Sequence, residues 1–138
     1  MLPENKTRKF LLFESALGHR LVACDDVVEV INMVALQRDP EDAQNHQYCG
    51  VFDYRGKIVP VFDFVEYDER NISNPGLFLL ILQNKQKQMA LIARDLADLV
   101  DIQTHDINDI DPEAGIAFEV AKVDEQLIRI VNAARFMS

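Results

Sequence analysis

The hydrophobic residues of the chain occur mainly in short runs whose length suits β-strands. The runs that predict strands are residues 10–13, 21–23, 51–54, 58–64, 77–82, 89–93 and 127–131. Glycine, proline and asparagine separate several of them at hairpin-length intervals. The pattern therefore predicts a mainly β protein.

Residues 58–64 alternate between two faces, as a half-buried strand does. The second face carries Val59, Val61 and Asp63, so Asp63 is predicted to lie where that face leaves the core. Pro60 has no backbone N–H to donate, which predicts a sheet edge or a β-bulge at this position.

Two segments differ, because their apolar residues stand three and four positions apart behind an aspartate. Residues 25–31 and 94–100 are each predicted to form a helical turn that enters a strand. Residues 132–137 predict a C-terminal helix. The polar stretches 37–47 and 104–115 predict surface loops.

The chain also contains an internal repeat. Shifting it by 69 residues, half of its 138, places apolar positions on apolar positions without a gap. Residues 10–13 fall on 79–82, 22–23 on 91–92, and 58–59 on 127–128. This period is too long for a solenoid. It predicts two related β units of five short strands, each closing into a barrel that hides its edges.

Charge and composition narrow the function. The chain has 14 basic and 23 acidic residues and a net charge of -9, which disfavours binding to nucleic acid or to anionic membranes. No apolar run approaches the roughly 20 residues needed to span a bilayer. The two cysteines, Cys24 and Cys49, are expected to be reduced, and a cytoplasmic location is expected.

Residues that would support catalysis, a metal or a cofactor form no recognisable motif. The three histidines are scattered, and His46 with Cys49 gives one pair where zinc needs three or four ligands. The five glycines form no phosphate-binding loop. We expect no enzyme activity, no metal and no cofactor.

One segment resembles a known signature. Gly50-Val51, Arg55-Gly56, Val59-Pro60 and Asp63 follow the order and spacing found in CheW-like domains. Residues 27–30, Val-Val-Glu-Val, resemble the family's Val-x-Glu-Val stretch. The resemblance extends over residues 10–137.

The resemblance implies a single domain over residues 1–138, with two five-stranded SH3-like barrels packed around a shared core, short helical turns and a C-terminal helix. The pseudo-repeat would span residues 8–66 and 77–136. It also implies a non-catalytic adaptor that couples chemoreceptor cytoplasmic tips to the regulatory domain of a CheA-type histidine kinase. Alternatively, the chain binds only other CheW-like domains.

The resemblance ties the position of Arg55 to receptor coupling. Our hypothesis is that Arg55 pairs with Glu29 and orients the receptor groove, that Val27 and Val28 supply apolar contact, and that Gly56 shapes the turn. Alternatively, Arg55 is an exposed turn residue and both valines belong to the core. Asp53, Pro60 and Asp63 are assigned structural roles.

Overall fold

The computed structural model describes residues 6–15, 17–37, 48–64, 78–109 and 118–136. Strands dominate this part of the chain, with two short 3-10 turns at Cys24–Asp26 and Thr104–Asp106. The strands are β1 (Thr7–Ser15), β2 (Gly18–Ala23), β3 (Val27–Asn32), β4 (Tyr48–Tyr54), β5 (Lys57–Phe62), β6 (Phe78–Asn84), β7 (Lys87–Ala93), β8 (Asp95–Gln103), β9 (Ile107–Asp109), β10 (Phe118–Val123) and β11 (Gln126–Val131), and the helix is α1 (Ala133–Phe136).

The described strands form two sheets that exchange strands between the two halves of the sequence. The first sheet has six strands in the order β8-β1-β2-β11-β10-β9, and the second has five in the order β3-β6-β7-β5-β4. Most neighbours are antiparallel, but β11 with β2 and β5 with β7 are parallel. Strand β1 pairs with β8, and β3 pairs with β6, so each sheet draws on both halves.

Three clusters of buried apolar side chains hold these sheets together. One cluster combines Phe13 and Val22 of the first sheet with Leu80 and Leu91 of the second, so the sheets pack on each other. Each of the other two clusters is built mainly from one sheet, as in Leu79 with Ile81 and Phe10 with Leu21. Burial of aliphatic surface is the main stabilising term here.

The predicted mainly β class is confirmed, but closed barrels are not. Within the described residues, no ladder joins β8 to β9 or β3 to β4, so both sheets have free ends. The first sheet also has six strands instead of five. The predicted C-terminal helix is a single turn at Ala133–Phe136. The division into subdomains 8–66 and 77–136 stays a prediction, although β5 and β11 have the same length and begin 69 residues apart, at Lys57 and Gln126.

The helical turn predicted for residues 94–100 is wrong. Strand β8 begins at Asp95 and pairs with β1 along its length. The ladder shifts between Leu12 and Phe13, where Ala97 is an extra residue, so Leu96 and Leu99 reach the same face although they are three positions apart. The turn predicted for residues 25–31 is confirmed as Cys24–Asp26 followed by β3.

The structure describes only parts of the two predicted loops, residues 37–47 and 104–115. Strand β9 and a 3-10 turn occupy residues 104–109 of the second loop, and residues 110–115 lie outside the described residues. In the first loop, Gln37 exchanges two backbone hydrogen bonds of 2.8 Å with Val51. Residues 38–47 of that loop also lie outside the description.

Pro60 lies neither on an edge strand nor at a bulge, because β5 runs between β7 and β4 and the bulge of the β4–β5 ladder lies between Tyr48 and Gly50. Its partner Val51 directs both backbone groups to Gln37, so β4 requires no donor from Pro60. Pairing with β7 begins one residue later, at Val61. A residue without an N–H is therefore tolerated inside the sheet.

Candidate partner-binding site

The tight turn between β4 and β5 presents Arg55. Tyr54 and Lys57 form the last pair of the ladder, and Arg55 and Gly56 between them have φ angles of 52° and 86°. Two residues with positive φ match the twist of a two-residue hairpin. An oxygen of the Asp53 side chain accepts the Gly56 N–H at 2.8 Å and braces the turn. This contact supports the structural role predicted for Asp53.

Gly56 is required by its backbone angle and not by crowding. A Cβ atom placed on Gly56 would meet nothing within 4 Å. Its φ lies in the left-handed region, which side chains rarely adopt. Gly56 therefore shapes the turn, as the sequence predicts, while the space beside it stays open.

The predicted contact between Arg55 and Glu29 is present. The Nη2 atom of Arg55 donates to Oε2 of Glu29 at 2.9 Å, with the two side chains 72% and 35% exposed. Glu29 lies on β3, which ends the second sheet. The pair thus links the two ends of that sheet. Glu29 lies on β3 at one end, and Arg55 lies in the turn that follows β4 at the other end. Its role in partner binding stays a prediction.

Tyr54 is a member of this site that the sequence reasoning missed. Its hydroxyl donates to the same Oε2 atom of Glu29, and the Arg55 guanidinium lies over its ring at 5.2 Å. This donation is the main reason that the pKa of Tyr54 is raised, and desolvation adds to it. The sequence indicates only that Tyr54 shares a buried strand face with Phe52.

The two predicted valines behave differently. Val27 is partly buried and packs against the cluster shared by both sheets, so the core alternative fits it. Val28 is 47% exposed and is the extra residue where the ladder between β3 and β6 shifts. The bulge turns Val28 outward beside Glu29, which makes it the valine available for contact.

A buried ion pair lies apart from this surface. Arg94 donates from Nη1 and Nη2 to the two carboxylate oxygens of Asp63, at 3.1 and 3.3 Å. The prediction that Asp63 lies where its strand face leaves the core is wrong, because Asp63 is only 8% exposed. Arg94 compensates the buried charge and makes this burial possible. The contact supports a structural role for Asp63.

The described residues contain few other groups that could bind a metal or a small ligand. No group of three or more His, Cys, Asp or Glu residues that could hold a metal occurs among them. Within the same residues, no helix is long and apolar enough to cross a membrane. A groove of about 370 Å³ lies beside the start of β5, with Ile58, Pro60, Phe62 and Met89 in its wall and Lys57 and Lys87 at its rim.

Comparison with known proteins decides the family. The family model described as "CheW-like domain" matches residues 9–138. The chain belongs to the CheW-like family. Among solved structures, the fold of this CheW-like chain is similar to that of scaffolding protein TtCheW from Thermoanaerobacter tengcongensis, with 22% identity and a TM-score of 0.72, over 96% of this chain and 87% of that one. A search of curated proteins gave no match.

Proposed function

We propose that this CheW-like chain is a non-catalytic scaffold that couples chemoreceptor cytoplasmic tips to the regulatory domain of a CheA-type histidine kinase, and that it acts in the cytoplasm. Membership of the family supports the proposal. The observation that carries it is the exposed ion pair of Arg55 with Glu29, displayed beside the exposed Val28. No cofactor, metal or nucleic acid takes part.

The ion pair suits recognition better than it suits stability. Exposed ion pairs add about 0–1 kcal/mol to folding, because water screens them and long side chains lose entropy. Arg55 is held by a braced turn after β4, and Glu29 is held by β3 at the opposite end of the same sheet. A fixed pair of opposite charges can select a partner with the complementary pattern and reject others. Val28 would add apolar contact.

The predicted barrels and the pseudo-repeat belong to the same proposal. We propose that the two sheets form two SH3-like subdomains, each of which contains strands from both repeat units, residues 8–66 and 77–136. Small β subdomains offer strand rims to helices and to neighbouring subdomains. Individually modest contacts would gain strength by repetition in an array.

A second candidate function rests on exposed aliphatic residues. Ile58 and Leu127 are 66% and 74% exposed, and each is the second residue of its strand, β5 or β11. Equivalent apolar positions on both sheets are suited to contact with other CheW-like domains. In this alternative, the chain is an array component that binds such domains and no receptor.

A binding experiment separates the two candidates. The purified chain is tested for capture of the kinase regulatory domain and of a receptor-tip fragment, as wild type, as Arg55→Ala and as Lys122→Ala. Lys122 is an exposed cation on β10 of the other sheet, so its substitution controls for the loss of one charge. We expect Arg55→Ala to weaken receptor capture selectively.

The family resemblance implies that the kinase regulatory domain is itself CheW-like. Binding of this domain without any receptor capture by the wild type would therefore favour the second candidate. Capture of neither partner by a folded wild-type chain would contradict the coupling function. Equal losses in Arg55→Ala and Lys122→Ala would show that net charge, and not the Arg55 surface, determines receptor binding.

A further inference from the structure

Tyr54 stands between the core and the surface at the point where the Arg55–Glu29 pair forms. Tyr54 as a whole is 7% exposed, and it belongs to one apolar cluster with Phe52, Val59 and Ile81. Its hydroxyl reaches Oε2 of Glu29, the oxygen that also accepts from Arg55. One carboxylate oxygen therefore receives a hydrogen bond from a buried residue and a second from an exposed one.

The ring adds a second constraint. The Cζ atom of Arg55 lies 5.2 Å from the centroid of the Tyr54 ring, within the range of a cation–π contact. Arg55 follows Tyr54 directly and is fixed at a φ of 52° by the turn. Tyr54 therefore contacts both members of the pair while its own backbone is held in β4.

An exposed ion pair without such support would sample many arrangements. The Arg55 side chain is 72% exposed, so water competes for its hydrogen bonds. A partner that requires one arrangement then loses affinity in proportion to the time spent in the others. A buried tyrosine ring whose hydroxyl reaches the surface keeps one arrangement of the ion pair populated at little cost in conformational entropy.

We infer that Tyr54 is a positioning residue of the coupling surface, one that preorganises Glu29 and Arg55 for the receptor tip. The inference rests on the proposed function and deepens it. Tyr54 acts through its two neighbours and needs no contact with the partner. The hydroxyl supplies the positioning, and the ring supplies packing that Phe would retain.

The decisive variant is Tyr54→Phe, which keeps the ring and removes the hydroxyl. We expect its affinity for the receptor-tip fragment, measured by titration calorimetry, to fall about five- to tenfold. Binding to the kinase regulatory domain and the urea midpoint should change little. Tyr48→Phe is the matched control, because Tyr48 begins the same strand and its ring meets that of Phe62 edge to face, with the centroids 5.7 Å apart. It should bind the receptor tip within about twofold of wild type.

A second readout tests the positioning contact without any partner. The chain has three tyrosines, so the phenolate absorbance of Tyr54 is isolated by subtracting the titration of Tyr54→Phe. Because donation to Glu29 is the first cause of the raised pKa of Tyr54, Glu29→Gln should lower that pKa towards the ordinary value. A tyrosine that makes no contact with Glu29 would titrate alike in both proteins.

The outcomes are distinguishable. If Tyr54→Phe binds the receptor tip like wild type while Arg55→Ala weakens it, the positioning role is wrong and the coupling function stands. If neither variant changes receptor binding, the proposed surface is wrong and the inference fails with it. An unchanged Tyr54 pKa in Glu29→Gln would overturn the inference whatever the binding results.

Discussion

Arg94 and Asp63 form a two-point ion pair inside the protein, with side chains only 20% and 11% exposed. The Arg94 backbone N–H also donates to the Glu14 carbonyl at 2.8 Å. Glu14 belongs to the first sheet, whereas Asp63 follows β5 of the second. Arg94 thus bonds to both sheets through different groups.

We predict that Arg94→Ala lowers the free energy of unfolding by about 3 kcal/mol, because it leaves the Asp63 carboxylate buried without a partner. Arg55→Ala is the matched comparison, since it breaks an exposed pair and should cost less than about 1 kcal/mol. Urea denaturation followed by circular dichroism measures both. Equal losses would contradict the structural role of the buried pair.

The loss of unfolding free energy in Arg94→Ala should depend on pH. Burial raises the pKa of Asp63, and the bonds to Arg94 lower it but do not cancel this effect. A raised carboxyl pKa means that folding favours the protonated form. Stability gained in this way is complete below the unfolded pKa of about 3.9 and is lost as pH rises through the folded pKa.

Removing Arg94 removes the opposing effect, so the pKa of Asp63 should rise further. We therefore expect the stability difference between wild type and Arg94→Ala to be large near neutral pH and to shrink as pH falls towards about 4. Urea midpoints across this range measure it. A difference that is constant with pH would show that lost packing, and not the buried charge, causes the effect.

Two glycines should respond differently to alanine. A Cβ atom on Gly50, whose φ is 142°, would lie 2.5 Å from the backbone oxygen of Gln37. Gly56 has open space, so only its backbone angle opposes alanine. We expect Gly56→Ala to cost about 1 kcal/mol and Gly50→Ala to cost about 3 kcal/mol or to prevent folding. Thermal unfolding of the pair tests this order, and a reversed order would contradict it.

Asp26 offers a stabilising substitution. Burial is the main reason that the pKa of Asp26 is raised; Asp25 adds to this effect, and Arg8 opposes it. Because the raised pKa means that folding favours the protonated form of Asp26, the ionised carboxylate destabilises the fold at neutral pH. Asp26→Asn should therefore raise the thermal midpoint near pH 7, and the gain should disappear below about pH 4. A gain that persists in acid would show that the charge is not its source.

The strands were predictable where hydrophobic residues alternate, as in β5, or form one short unbroken run, as in β7. The prediction failed where a bulge changes the period. Leu96 and Leu99 pair with Phe13 and Leu11, two residues on the same face of β1, although the two leucines of β8 stand three positions apart. Sequence spacing of three is shared by a helical turn and by a bulged strand, so it cannot separate them without knowledge of the pairing partner.

The charged residues of the site were predictable, but the role of Tyr54, which contacts both of them, was not. The hypothesis that Arg55 pairs with Glu29 came from the resemblance to CheW-like domains, and the structure contains this contact. The pattern also placed Tyr54 in the core, and its ring is indeed buried. A tyrosine ring can be in the core while its hydroxyl reaches the rim. Sequence periodicity specifies the face of a residue and not the reach of its last atom.

Each sheet contains strands from both halves of the sequence, and this affects how the chain folds as it is synthesised. Strands β1 and β3 are made early, but the strands beside them, β8 and β6, come from the second half: Thr7 pairs with Gln103, and Val27 with Leu82. Until that half leaves the ribosome, both early strands present unpaired edges that can bind other chains. Contacts so distant in sequence also close slowly. Neither half can complete a sheet alone, so folding must wait for the second half.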